Sequence, residues 1–220
     1  MRPGLAGRKA IDPEPPWGHL LDGTVGIRLL PVNRSEPEGA VALKDLLGRP
    51  AAARAAERLY HGAVEQARDP AFYLHCGVPD TVDGRFEMIA LHVFLVLRRL
   101  RQGGEGAADT AQELFDAMFT DMDRSLREMG AGDLGVGRRV KAMAQAFYGR
   151  VAAYDHGLDA GGDELAEALL RNAFRGAAPA PQALAALVAY VRREEQALAA
   201  QTLGGLLEGR VTFGLAPAGA

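Results

Sequence analysis

The sequence predicts an all-α fold, a single bundle of about six helices with a poorly ordered N-terminal tail and a short C-terminal tail. From Pro50 onward apolar residues recur at intervals of three and four, which is the period of an amphipathic helix, and alanine is abundant. No convincing set of alternating apolar and polar residues indicates strands. Hydrophobic residues make up 48% of the chain, which is enough for one substantial core.

Three segments are predicted along the chain. Residues 1–40 carry prolines scattered among glycines and charges, so we expect a mobile tail, in which only 26–32 could form a short strand. Val41 is a candidate for the true first residue, because valine can be encoded by an alternative start codon. The helical domain is expected to span 41–203. A C-terminal tail is expected at 204–220, extended near 209–213.

The first half of the domain predicts two main helices, of which the second should be central. Helix one should run from about 50 to 68, with Pro50 in its first turn, and a short helix should follow Asp69 and Pro70 and end at Gly77. Helix two, at about 81–103, is apolar on all sides and should therefore be the buried central helix. Five of its residues are expected in the core: Phe86, Ile89, Val93, Phe94 and Leu97.

The second half predicts four more helices. Helix three should begin at the capping-box pattern that starts with Thr110 and should end at Gly130. Helix four should follow Asp133 and stop at Gly157. Helix five is expected at about 163–174, and helix six from Pro181.

Composition excludes several classes of protein. The formal net charge of −3, from 25 basic and 28 acidic residues, provides no phosphate-neutralising surface, so specific nucleic-acid binding is not expected. The single cysteine, Cys76, forms no intramolecular disulfide and indicates a reducing compartment, so we expect a cytoplasmic protein. The most apolar stretch, 88–97, is shorter than the roughly 20 residues that a membrane span requires.

Candidate catalytic and cofactor motifs are weak. The glycine pattern at 130–135 fits a dinucleotide-binding motif only in its letters, because a helix rather than a strand precedes it. No two histidines are three or four residues apart, so none forms a helical metal pair. His92 lies in the most apolar helix, where a hydrogen-bonded core histidine is the simpler interpretation and a haem or quinone contact the alternative. No cofactor is therefore predicted.

Three aspartates leave one enzymatic alternative open. Asp116, Asp121 and Asp123 resemble the aspartate-rich helices that hold magnesium in prenyl-transfer enzymes, but they are not spaced four apart on one face. Salt bridges between Asp123 and Arg127, and between Arg124 and Glu128, are the simpler interpretation. A helical enzyme acting on an isoprenoid or quinone substrate remains the alternative hypothesis.

Two charged groups suggest a binding surface. Arg85 and Glu87 flank Phe86 at the start of the apolar helix, and a basic cluster opens helix four, where it opposes the helix dipole. Solvation with compensation by nearby acids is one interpretation, and a surface for an acidic partner or lipid headgroups is the other. The basic cluster consists of Arg138, Arg139 and Lys141.

Several long motifs in one order resemble the ubiquinol–cytochrome c chaperone family. They are the segments YLHCGVPDTVDGRFE at 73–87, FDAMFTDMD at 115–123, LREMG at 126–130, DLGV at 133–136, Lys141 and FYGR at 147–150. The resemblance covers about residues 51–203 and leaves the first 40 residues outside.

The resemblance implies an assembly chaperone and not an enzyme. Its expected partner is newly made cytochrome b, with the ribosome, a small partner subunit and peripheral contact with the inner membrane as further expectations. The family brings no catalytic residues and no cofactor. Partner contacts are expected in the motif segments 77–87 and 121–133 and in the charged groups. The candidate partner-binding residues are Pro79, Asp80, Arg85, Glu87, Arg127, Asp133, Arg138, Arg139, Lys141 and Tyr148.

Overall fold

The computed structural model describes residues 43–128 and 133–218, with the backbone alone at 43–49, 105 and 133–141. The described ranges contain helices and no β-strand, which confirms the all-α prediction. Six longer helices account for the predicted bundle, and two short ones lie beside them. In chain order they are α1 (Leu43–Ala67), α2 (Ala71–Leu74), α3 (Val82–Arg101), α4 (Glu105–Glu128), α5 (Asp133–Ala160), α6 (Glu164–Asn172), α7 (Pro181–Ala200) and α8 (Leu203–Leu207).

Helix α3 is the centre of the bundle, as its apolar composition predicts. It packs against α1, α4, α5 and α7. Four of the five predicted core residues are buried, and Phe86 is half-buried at the edge of the core. The helix begins at a Thr81 cap, whose hydroxyl accepts a 3.1 Å hydrogen bond from the Gly84 amide.

The arginines at the C-terminal end of α3 bind groups on α5 and at the end of α7. Arg98 Nη1 and Arg101 Nη2 both donate to Asp155 of α5, at 2.7 and 2.6 Å. Arg99 donates to the carbonyl groups of Leu198 and Gln201, so it satisfies acceptors at the C-terminal end of α7. These arginines therefore join helices to one another.

The predicted start of helix one was wrong. Helix α1 begins at Leu43, so Pro50 lies inside it rather than in its first turn. A proline removes one backbone hydrogen bond, and α1 continues through that loss. The apolar stripe was predicted correctly, because Leu59, Ala63 and Ala67 are fully buried.

The predicted start of helix three and end of helix four were also wrong. Thr110 is a buried residue inside α4, because its capping-box pattern can equally occur within a helix. Helix α5 passes Gly157 and ends at Ala160, before Gly161 with a φ of 77°. A Cβ at Gly157 would lie 2.7 Å from the Cα of Leu165, so this glycine permits close packing of α5 on α6.

The C-terminal residues pack on the bundle. The short helix α8 was not predicted, and after it residues 208–218 run without helix or strand. Val211, Phe213 and Ala216 of this segment pack against the core. The predicted tail at 1–40, with its candidate strand and start residue, lies outside the described residues.

Candidate partner-binding surface

The turn between α2 and α3 is anchored from inside the bundle. Phe72, Cys76 and Val78 are buried, and the Val78 amide donates a 3.1 Å hydrogen bond to the Phe72 carbonyl. At Gly84 a Cβ would lie 1.9 Å from the Pro79 carbonyl oxygen, so only glycine allows the turn to close on the first turn of α3. The turn therefore presents its outer side chains in a defined arrangement.

Two large apolar side chains on this turn point into solvent. Leu74, at the end of α2, is 75% exposed, and Val82, at the start of α3, is 67% exposed. Half-buried Pro79 lies between them in the chain. An exposed apolar group rimmed by charges is a feature of protein-binding surfaces. We call Leu74, Pro79, Asp80, Val82 and Arg85 the α2–α3 surface.

The charges on this surface form an exposed ion pair. Arg85 Nε lies 2.6 Å from Asp80 Oδ1, and both side chains are more than half exposed. The hydrogen bond from Arg85 lowers the pKa of the Asp80 carboxyl, and the same bond raises the pKa of Arg85. Both groups are therefore ionised at neutral pH and accessible to a partner. Asp83 pairs similarly with Arg175, at 3.3 Å.

Glu87, expected at the partner surface, lies in the interior instead. Its side chain is wholly buried and accepts two hydrogen bonds from Arg150 of α5, one of them 2.6 Å from Nε to Oε2. Burial alone lowers the pKa of Arg150, but the hydrogen bond and charge of Glu87 more than reverse this effect and raise it. Phe86 lies beside the pair, with its ring 5.7 Å from the Arg150 guanidinium. The expectation of a surface contact at Glu87 is therefore corrected to an internal link between α3 and α5.

Arg127 and Tyr148 lie away from the α2–α3 turn in the chain. Arg127 is exposed at the end of α4 and forms the predicted bridge to Asp123, with Nε 2.6 Å from Oδ2. Tyr148 is half-buried on α5, with its ring stacked on Phe115 at 5.5 Å. Burial, and next the Asp116 charge, raise the pKa of Tyr148.

The remaining candidates belong to the first part of α5. Asp133 is the first residue of this helix, and the basic cluster follows within its next turns. Their side chains lie outside the described part of the chain. The structure thus groups Pro79, Asp80 and Arg85 on one surface and separates Glu87 from them.

The aspartates behind the enzymatic alternative are engaged by neighbouring groups. Asp116 accepts a 3.0 Å hydrogen bond from Gln112, and Asp121 accepts one of 2.8 Å from Tyr60. Arg124 pairs with Asp121. Within the described residues, no group of three or more His, Cys, Asp and Glu side chains could hold a metal ion. Likewise, no described helix has the length and apolar character of a membrane span.

The other candidates for chemistry are core residues. Burial raises the pKa of the Cys76 thiol to about 11, so the reactive thiolate is disfavoured. His92 is fully buried, with Nδ1 2.7 Å from the Met88 carbonyl oxygen and Nε2 2.7 Å from Tyr190 Oη. Because a carbonyl only accepts, Nδ1 carries the proton and Nε2 accepts from Tyr190. The simpler interpretation of His92 is thus confirmed.

Sequence reasoning missed a polar network around Tyr190. Gln66 of α1 donates to Tyr190 Oη at 3.1 Å, and fully buried Glu194 of α7 accepts from the Gly214 amide at 2.8 Å. One signal was available, because Glu194 interrupts the apolar stripe formed by Leu187, Val191 and Leu198.

Comparisons with known proteins identify similar chains. A family model described as ubiquinol–cytochrome C chaperone matches residues 74–213. Ubiquinol–cytochrome c reductase complex assembly factor 1 of Xenopus laevis is 32% identical over 162 residues, which cover 72% of this chain and 80% of the frog protein. The Homo sapiens protein of the same name is also 32% identical, over 72% of this chain and 54% of its own length.

A solved structure supports the same grouping. The crystal structure of a Cbp3 homolog from Brucella abortus has a TM-score of 0.69 and 38% identity, covering 80% of this chain and 98% of that one. The chain spans about half the length of the mouse and human relatives. The matched range, 74–213, includes the whole α2–α3 surface.

Proposed function

Since the chain belongs to the ubiquinol–cytochrome c chaperone family, we propose that it is an assembly factor that holds newly made cytochrome b until that protein joins the ubiquinol–cytochrome c reductase complex. The observation that carries this proposal is the family match over 74–213. Assembly of the reductase is what the names of the similar proteins state, and the hold on cytochrome b is the finer part of the proposal.

The α2–α3 surface is the proposed site of client contact. A newly made membrane protein exposes apolar helices that need shielding until their partners arrive. Leu74 and Val82 offer exposed apolar area, and Asp80 and Arg85 offer charges beside it. Apolar contacts of this kind contribute affinity, while charges at the rim orient the partner.

The remaining candidate residues extend the proposed rim. Arg127 is exposed at the end of α4, and Asp133 opens α5. We include in the rim Tyr148 and the basic cluster of Arg138, Arg139 and Lys141 on the grounds of the family resemblance alone.

Affinity purification from growing cells, followed by mass spectrometry, tests the proposal. Cytochrome b should be recovered with the wild-type chain, and deleting the gene should lower cytochrome b and the assembled reductase while other respiratory complexes remain. The same purification tests the ribosome, a small partner subunit and the inner membrane as further partners. A normal reductase level in the deletion strain would overturn the proposal.

A matched pair of variants tests the surface itself. Leu74→Asp should reduce recovery of cytochrome b without unfolding the chain, because an exposed leucine contributes little to stability. Leu215→Asp is the control for a new charge at an exposed leucine, since Leu215 is 88% exposed and lies outside the α2–α3 surface. Equal recovery with both variants would exclude Leu74 from the client contact.

A binding protein is favoured over the isoprenoid or quinone enzyme. Asp116 and Asp121 hydrogen-bond to neighbouring side chains rather than converging with Asp123 on a metal-sized space. Turnover of a prenyl substrate by the purified chain with magnesium would reverse this preference.

A further inference from the structure

The C-terminal segment is held by its main chain. The Gln201 side-chain amide contacts Thr212 twice, donating to its carbonyl oxygen at 2.7 Å and accepting from its amide at 3.0 Å. The next main-chain unit is bound similarly, because the Gly214 amide donates to Glu194 at 2.8 Å and its carbonyl accepts from Gln66 at 2.9 Å. These contacts recognise peptide groups, so they do not depend on the side chains of the bound segment.

Alternate side chains of the segment face the bundle. Val211 and Phe213 are half-buried against the core, while Thr212 between them is exposed. Val211 occupies a notch at Gly62, where a Cβ would lie 2.8 Å from its Cγ1 atom. The Phe213 ring meets the His92 ring edge-on at 5.2 Å. Alternation of this kind is how extended peptides are recognised in grooves.

The groove under the segment is already organised. Glu194 is fully buried, and Arg193 Nη2 lies 2.7 Å from its Oε1. The ion pair balances the charge of the carboxylate and holds it in place. Tyr190 is held by His92 and Gln66. We call the site the tail groove, formed by Gly62, Gln66, His92, Tyr190, Glu194 and Gln201.

Unfilled space lies beside the bound segment. A depression of about 500 Å³ is lined by Gln66, Arg68 and Asp69 near the end of α1 and by Val211 and Phe213 of the segment. This depression lies next to the bound main chain and is open to solvent.

We propose that the tail groove is a binding site for extended polypeptide segments with apolar residues at alternate positions, and that residues 209–218 are its displaceable resident. No residue of this segment is fully buried, whereas the helices beneath it contribute fully buried side chains such as His92 and Glu194. Segments with few buried contacts open at lower free energy than the fold as a whole. The proposed partner is a second polypeptide that presents an extended strand. This proposal does not depend on which client binds the α2–α3 surface.

A labelled peptide with the sequence of residues 208–218 tests the proposal on the full chain. In the wild type the resident segment competes at high effective concentration, so the peptide should bind weakly. Phe213→Ala loosens the resident without altering the groove, and it should tighten peptide binding at least about tenfold. Adding Gly62→Ala to this variant fills the notch for Val211 and should remove the gain.

A peptide of identical composition but shifted register is the control. Exchanging Val211 with Thr212 and Phe213 with Gly214 in the peptide points the apolar side chains away from the groove, so its binding should be lost. If the folded Phe213→Ala chain binds the native peptide no more tightly than the shifted one, the proposal is wrong.

Hydrogen exchange on the wild-type chain provides an independent measurement. The amides of Thr212 and Gly214 should exchange through local opening, faster than the amides of Leu91 and Val93 in α3. Equal protection at both places would mean that the segment leaves only when the whole domain unfolds, and this result would overturn the proposal regardless of the variants.

Discussion

Arg85 and Glu87 lie two residues apart at the start of α3 and occupy opposite environments. Two residues turn a helix by about 200°, so the side chains leave from opposite faces. Arg85 is exposed and pairs with exposed Asp80, five residues earlier. Glu87 is wholly buried and pairs with Arg150, 63 residues later.

The difference shows that an ion pair has two kinds of role in this molecule. Water can solvate Arg85 or Asp80 if the other is removed, so their pairing contributes little to stability and leaves both accessible. Glu87 is wholly buried and the side chain of Arg150 is only 14% exposed, so water solvates neither charge fully when the other is removed. The exposed pair is suited to recognition, and the buried pair joins α3 to α5.

The largest expected effect comes from breaking the buried pair. Glu87→Ala leaves the guanidinium of Arg150, whose side chain is only 14% exposed, without its partner, and it should lower the free energy of unfolding by about 3 kcal/mol. Chemical denaturation of the full chain measures this change. The double variant Glu87→Leu with Arg150→Met should recover most of the loss, because no charge then remains buried. A loss of less than about 1 kcal/mol for Glu87→Ala would place the pair in the class of exposed bridges.

Changing His92 tests how a buried polar group that carries no charge contributes to stability, in comparison with the Glu87–Arg150 ion pair. Burial lowers the pKa of His92 to about 4, below its usual 6.5, so the unfolded chain binds a proton more readily. Stability is therefore complete above pH 6.5 and should fall by roughly 3 kcal/mol as the pH approaches 4.

Variants separate this contribution from the titration of carboxylates. Unfolding free energies between pH 7 and pH 5 should show a shallower slope for His92→Gln than for the wild type. His156→Gln, which removes a histidine that is exposed to solvent, is the control for the substitution itself. Identical slopes for His92→Gln and the wild type would contradict the assignment.

Changing Gly84 tests whether its close contact with Pro79 fixes the orientation of α3 at the α2–α3 turn. Gly84→Ala places a methyl group against the Pro79 carbonyl oxygen, and the backbone must shift, so the free energy of unfolding should fall by about 1–3 kcal/mol. Gly149→Ala is the matched control on an exposed position of α5, where a Cβ meets nothing within 4 Å. That change should be neutral or stabilising by up to about 1 kcal/mol, and similar losses for both variants would contradict a specific contact at Gly84.

The smallest expected effect on stability is at Arg85. Arg85→Ala should leave the thermal unfolding midpoint unchanged, because both members of the pair are exposed to water. It should nevertheless lower recovery of cytochrome b if the α2–α3 surface is the client site. Arg54→Ala, an exposed arginine on α1, is the control for general loss of charge. A marked drop in the midpoint for Arg85→Ala would show that its role is structural and that the contrast with Glu87 fails.

The sequence by itself determined the all-α class, the central position of α3, the family and the exposed charges of the α2–α3 surface. These follow from local periodicity and from long motifs, which need no knowledge of distant contacts. Helix ends at Pro50, Thr110 and Gly157 were misjudged, because capping patterns and helix-breaking residues also occur inside helices that tertiary packing stabilises.

Only the tertiary structure decided which polar groups are buried and what holds the C-terminal segment. Glu87 finds its partner across 63 residues and Gln66 finds Gly214 across 148, and neither separation leaves a periodic signal in the chain. A charged residue in an apolar stripe indicates only that some partner must exist. Which partner it is depends on how α1, α3, α5 and α7 pack, because a buried charge or peptide group is stable only where a complementary group has been brought within hydrogen-bonding distance.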